Sequence, residues 1–178
     1  MLQKYFIAIV PSEPLLSSIQ HIKQTIFDTY GTKGALRSPG HITLHMPFSW
    51  EEEKEEKLIA ELSAFRFSPS FKVQLKDYAC FEPRVVFIRV PENPLLFDLQ
   101  QSLVKHAKQK LQLFNQSDDM RGFHPHVTVA FRDLKKPVFY KLWEEYKNKS
   151  FEAEFECASF CLLKHNDQRW DVYREFKF

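Results

Sequence analysis

Val10-Pro11-Ser12-Glu13-Pro14-Leu15-Leu16 returns 80 residues later as Val90-Pro91-Glu92-Asn93-Pro94-Leu95-Leu96, with five of the seven positions identical. A repeat of this span points to a structural unit present twice. Each copy follows an apolar, strand-like run, Tyr5 to Val10 and Val85 to Val90. Each then opens a helix. Ser12 or Asn93 stands near the cap, and Pro14 or Pro94 falls in the first turn, where a missing N–H costs nothing.

Outward from these anchors the two copies stay in step. The first helix continues through Ile19, Ile22, Ile26 and Tyr30 and stops at Gly31; the second continues through Leu96, Leu99, Leu103 and Ala107 toward Leu111. The 3, 4, 4 spacing marks one core-facing stripe in each. A polar loop follows, then a strand that begins with histidine: His41-Ile42-Thr43-Leu44 and His126-Val127-Thr128-Val129. Second helices are expected over Trp50 to Phe65 and Val138 to Lys147. Third strands, Phe71 to Leu75 and Phe151 to Phe155, alternate with period two. Asn166-Asp167 then turns the chain into a last strand, Arg169 to Phe178.

The expected fold class is α+β: two pseudo-twofold-related lobes of mostly antiparallel sheet with outer helices and a central cleft. Equivalent strands would lie face to face across that cleft. Residues 1–178 are expected to form a single bilobal domain, with repeat 1 at about 4–80, repeat 2 at about 84–163 and a closing strand at 169–178.

Composition agrees with one ordinary core. The chain has 178 residues, 44% of them hydrophobic, with 18 Phe and only 4 Gly; this excludes low-complexity and fibrous classes. Lys+Arg number 25 against 23 Asp+Glu, a net charge of +2. That balance excludes a histone-like basic coat and an acidic disordered tail. A nucleic-acid or nucleotide partner would have to bind at a local pocket. The six apolar residues before Pro11 are too few for a signal sequence or a membrane span, so a soluble, cytoplasmic monomer is expected. Cys80, Cys157 and Cys161 form no CxxC pair and read as buried free thiols in a reducing compartment.

The paired His-x-Thr-apolar motifs carry the chemistry. With 7 His and 5 Thr in the chain, chance would supply such a pair roughly 0.003 times. Strand alternation places the His and Thr of each motif on one face and Ile42/Leu44 or Val127/Val129 on the other. Two such strands would bring two imidazoles and two hydroxyls to one small anion. In-line displacement at phosphorus needs a base on the attacking oxygen, an acid on the leaving one and donors on the remaining oxygens.

On these residues the sequence resembles the 2H phosphoesterase family, which comprises RNA 2',3'-cyclic phosphodiesterases and 2'-5' RNA ligase-like proteins. The resemblance covers the doubled unit, the tandem motifs and their separation. It implies a two-lobed fold with a central cleft, no cofactor, and metal-independent opening of 2',3'-cyclic phosphates at RNA 3' ends or on nucleotides. Carried over by position, it makes His41 and His126 the catalytic pair and Thr43 and Thr128 the phosphate-binding residues. It further implies that His126 activates water and His41 protonates the leaving oxygen.

The chain departs from the family pattern after the second motif, where Ala130-Phe131-Arg132 replaces Ala-Arg. If the strand persists that far, Arg132 shares the His126 face. Arg37 and Arg121, four and five residues before their histidines, are candidate phosphate or ribose contacts. Phe123, Tyr5 and Phe48 are candidates to stack a base, although core packing is the commoner fate of a Phe. His45 lies on the His41 face by alternation and is expected to be an exposed strand residue; His124 is expected in a solvent-facing loop. No metal site is expected, because an HxxxH pair chelates on a helix and His41 to His45 reads as strand. Two other functions fit the same residues. One is an RNA- or nucleotide-binding module without turnover; the other is a hydrolase or ligase acting on another 2'-5' or cyclic phosphoester.

Overall fold

The computed structural model describes residues 1–115 and 122–178. The first copy contains β1 (Leu2–Ile9), α1 (Leu15–Tyr30), β2 (Ile42–Glu51), α2 (Glu55–Ala64), β3 (Phe71–Lys76) and β4 (Tyr78–Phe81). The second contains β5 (Val85–Arg89), α3 (Pro94–Leu111), β6 (His126–Ala130), α4 (Lys136–Tyr146), β7 (Glu152–Cys157) and β8 (Ser159–His165), and β9 (Trp170–Lys177) follows.

Local chemistry sets the helix limits. Asn93 caps α3 by accepting the Leu96 N–H at 3.2 Å, with Pro94 in the first turn. Gly31 closes α1 at φ 73°, a left-handed position that costs glycine nothing, and its N–H bonds to the Phe27 carbonyl.

Seven strands form one sheet in the order β4-β5-β6-β2-β1-β8-β9, while β3 and β7 pair as a separate two-stranded sheet. Every pairing among the described residues is antiparallel. The strand order mirrors itself about the β6/β2 boundary, with β5 answering β1 and β4 answering β8. The His-strands are therefore side by side in a continuous sheet, not face to face across a gap as the repeat suggested. Among the described residues they meet at one register pair, Ile42↔Val127.

The copies also exchange helices: α1 packs on β6 and α3 packs on β2. One core cluster accordingly takes residues from both halves, including Ile7, Ile19, Ile42 and Leu62 from the first and Ile88, Leu99, Val127 and Phe139 from the second. It backs one face of the large sheet. The opposite face carries a small cluster of Phe6, Ala8, Cys161 and Leu163, with Trp170 packed against it. Alternation along β1 divides the two, Tyr5, Ile7 and Ile9 going to the main core and Phe6 and Ala8 to the other side.

Several boundaries differ from the sequence expectation. The helix expected from Trp50 starts only at Glu55, because Trp50 and Glu51 extend β2 by pairing with Gln3 and Leu2. The segment holding Cys157 and Cys161 is two strands, divided at Ala158. Both thiols are buried and free; burial pushes each pKa up to about 12, which keeps them as unreactive thiols. No helix among the described residues is long and apolar enough to cross a membrane.

Candidate active site

β2 and β6 build the site from opposite directions. Continued one residue either way, the Ile42↔Val127 register sets His41 opposite Thr128 and Thr43 opposite His126. The two imidazoles are then diagonal neighbours, with Cα atoms about 7–8 Å apart for a regular antiparallel pair. All four side chains line one cleft of about 320 Å³. All four are half-buried, whereas Ile42 and Val127 beneath them are fully buried.

Two contacts are common to both rings. His41 Nδ1 donates to the Pro39 carbonyl at 2.7 Å, and His126 Nδ1 donates to the His124 carbonyl at 2.7 Å. The acceptor lies two residues upstream in both. A carbonyl only accepts, so each bond fixes a proton on Nδ1 and makes Nε2 the basic nitrogen of the neutral ring. Phe6 packs on His41 at 4.9 Å and 50°, and Phe87 on His126 at 4.9 Å and 51°. Both phenylalanines come from the first strand of their copy.

The electrostatic setting of His41 is defined. Burial lowers its pKa to about 4. The bond to Pro39 opposes that shift, while charge on Lys23 and on His126 adds to it. His41 is thus neutral in the unliganded cleft at ordinary pH.

A family model described as the 2'-5' RNA ligase superfamily matches residues 11–169. The chain belongs to this superfamily. Among curated relatives, a protein of Geobacillus kaustophilus (strain HTA426) is 28% identical over 177 residues, covering 97% of this chain and 95% of its own. A Geobacillus thermodenitrificans (strain NG80-2) protein is 26% identical over 179 residues. Both are named provisionally as phosphoesterases. Among solved structures, Escherichia coli LigT complexed with 3'-AMP superposes with a TM-score of 0.68 at 21% identity, covering 100% of this chain and 99% of that one. A Thermus thermophilus protein gives 0.66 at 18% identity, covering 98% and 97%. These structural likenesses show the shared fold.

Within this member of the 2'-5' RNA ligase superfamily, the remaining candidates divide. Arg37 and Arg132 line the cleft with the four motif residues. β6 does not persist to Arg132. It ends at Ala130, and a three-residue turn closed by Asp133 N–H to the Phe131 carbonyl (3.1 Å) holds Arg132 at φ 71°. The left-handed turn, rather than strand alternation, brings this guanidinium to the rim.

Asp133 then clasps the two rims together. Its carboxylate accepts from Thr32 Oγ1 at 2.6 Å, from Lys33 N–H at 2.9 Å and from Gly34 N–H at 2.9 Å. This holds the 3-10 turn Gly34–Arg37, and with it Arg37, against the Arg132 turn.

Phe123 packs on Phe97 at 5.1 Å and against the main core, and is not among the residues lining the cleft. Tyr5 is buried, with its hydroxyl on Glu55, and Phe48 stacks on it. His45 is also buried, contrary to the expectation of an exposed strand residue. A bulge between the Ile7↔His45 and Ala8↔Thr43 pairs reverses the phase of β2. Leu44 and His45 both turn inward, and His45 Nδ1 donates to the Met46 carbonyl at 2.8 Å. Arg121 lies outside the described residues.

Sequence reading missed an aromatic rim. Trp170 and His165, paired at the turn end of the β8–β9 hairpin, line the cleft beside Phe6. Their rings meet at 4.8 Å, as do those of Phe6 and Trp170. Only the sheet order β2-β1-β8-β9 brings this hairpin to His41.

Proposed function

We propose that this protein is a phosphodiesterase that opens 2',3'-cyclic phosphates at RNA 3' ends or on nucleotides, using His41 and His126 as an acid–base pair within one bilobal unit. The carrying observation is the symmetric commitment of both Nδ1 atoms to backbone carbonyls, which makes Nε2 the basic nitrogen of each neutral ring.

With the cyclic phosphate between the strands, Thr43 and Thr128 donate to its non-bridging oxygens. Water attacks phosphorus and passes a proton to Nε2 of neutral His41. The P–O bond to the ribose breaks in line, and the leaving oxygen takes a proton from Nε2 of His126. The product is an acyclic nucleoside monophosphate or RNA end, and solvent resets both rings. The low pKa of His41 supports it as the base in this direction, the reverse of the roles implied by family resemblance. Arg37 and Arg132, on the two rims joined by Asp133, neutralise phosphate charge, and Trp170 with His165 offers the nucleoside an aromatic wall beside Phe6. The complex of E. coli LigT with 3'-AMP, a nucleotide of the product class, supports the reading.

The rate should follow a bell in pH. A base must be neutral to act, so kcat/KM falls as pH drops through the His41 value, about 4 in the free protein. An acid must be protonated, so it falls again at higher pH as the acid loses its proton. A profile with no acid limb down to pH 3 would remove His41 from the role of base.

The substrate class is tested by offering a 2',3'-cyclic mononucleotide, a short RNA ending in one and a 2'-5'-linked dinucleotide, each with EDTA in excess. Turnover of the cyclic phosphates, undiminished by EDTA, is expected. Cleavage of the 2'-5' dinucleotide alone would reassign the substrate, and activity abolished by EDTA would overturn the metal-free step.

A further inference from the structure

Lys23 is the one buried lysine among the described residues, 2% exposed on the inner stripe of α1 between Ile19 and Ile26. An ammonium in that position is costly unless it is paired. Among the described residues its single hydrogen-bond partner is the Ser38 carbonyl, at 3.0 Å, and no carboxylate accompanies it. Ser38 immediately precedes Pro39, whose carbonyl holds His41 Nδ1. A core position that could take leucine therefore carries a charge against the segment that leads into His41.

We propose that Lys23 is a positioning residue for the reaction assigned above: its ammonium pins the Ser38–Pro39 segment that orients His41, and its positive charge acts on that imidazole from behind. The proposal rests on the role given to His41 but concerns a coupling that exists before any substrate binds. The groups facing His41 are Lys23 from α1, Arg37 from the preceding loop, His126 from β6, Arg132 from the following turn and His165 from the end of β8. No carboxylate lines the cleft among the described residues. Each of these neighbours, when charged, favours the neutral ring. Lys23 differs in being sealed from solvent, so salt screens it least. Burial lowers its own pKa to about 8, which leaves it mostly protonated at neutral pH.

The test is an NMR pH titration of the His41 ring in the substrate-free protein, comparing wild type with Lys23→Met and Lys23→Arg. In the Met variant the His41 midpoint should rise by on the order of half a pH unit or more, while Arg, which keeps the charge, should restore a low midpoint. In the wild type the ring signals should carry a second, smaller inflection near pH 8, where Lys23 discharges. That inflection is read even if Lys23→Met does not fold. Equal midpoints in wild type and Met, or equal displacement in Met and Arg, would reduce Lys23 to a packing residue and overturn the proposal. So would a wild-type titration without the second inflection. Because no substrate is present, these outcomes are separate from a failure to turn over cyclic phosphates. If turnover is present, its acid limb should move upward with the His41 midpoint in the Met variant and return in the Arg variant.

Discussion

Alanine at either His41 or His126 is expected to lower kcat/KM for a cyclic phosphate by on the order of 10²–10⁴, with the double variant scarcely worse than the poorer single one. Residues that act as a unit are not additive, because the second removal takes away nothing still working. The loss should be similar for both positions, since each ring has the same carbonyl anchor and the same phenylalanine neighbour. Neither ring belongs to the buried core, so both variants should remain folded by circular dichroism. A loss under tenfold at one position would show that the remaining imidazole and solvent suffice, and the paired mechanism would fail for that half.

The second large effect is structural and lies away from the reacting atoms. Gly34→Ala would place a Cβ 2.2 Å from the Phe131 carbonyl oxygen, 2.9 Å from Asp133 Oδ1 and 3.2 Å from Arg132 Cβ. The first is a backbone atom and cannot swing aside. The turn must retreat, and with it go the bonds from Thr32, Lys33 and Gly34 to Asp133. Overpacking costs about 1–3 kcal/mol, and each lost bond about 0.5–1.5 kcal/mol before relaxation. A net loss of about 2–4 kcal/mol is expected, lowering Tm by roughly 5–15 °C in a chain of this size. KM should rise more than kcat falls, because Arg37 and Arg132 separate while His41 and His126 keep their own anchors. Asp133→Ala removes the clasp without the clash and should reproduce the KM effect with a smaller change in Tm. If Gly34→Ala melts like wild type, the close approach of the rims is not part of the native state.

Much of this was legible in the residues. The Val-Pro-x-x-Pro-Leu-Leu repeat located both first helices, and His-x-Thr-apolar alternation located the polar face of β2 and β6. Those signals are local, set by side-chain period and turn chemistry. Sheet order was not legible. Whether β2 and β6 face each other across a gap or share an edge depends on pairings between residues some 85 apart, and no short window records them. The same reason hid Trp170, which reaches the cleft only because β8 pairs with β1 and β9 with β8. His45 failed differently. Its place on the His41 face assumed unbroken alternation, and a single bulge residue reversed it. Arg132 reached the cleft by a left-handed turn that the sequence does not announce, since arginine is seldom found at positive φ.

Catalytic turnover at the paired histidines is what separates an enzyme from a cleft that only binds a nucleotide. The most direct measurement follows the ³¹P signal of a 2',3'-cyclic mononucleotide, in large excess over protein and with EDTA present. The expected result is complete replacement of the cyclic-phosphate signal by that of a single phosphomonoester, with no conversion by the His41→Ala/His126→Ala double variant. Persistence of the cyclic phosphate in the presence of folded wild-type protein that binds it would contradict the account and leave a binding cleft without chemistry.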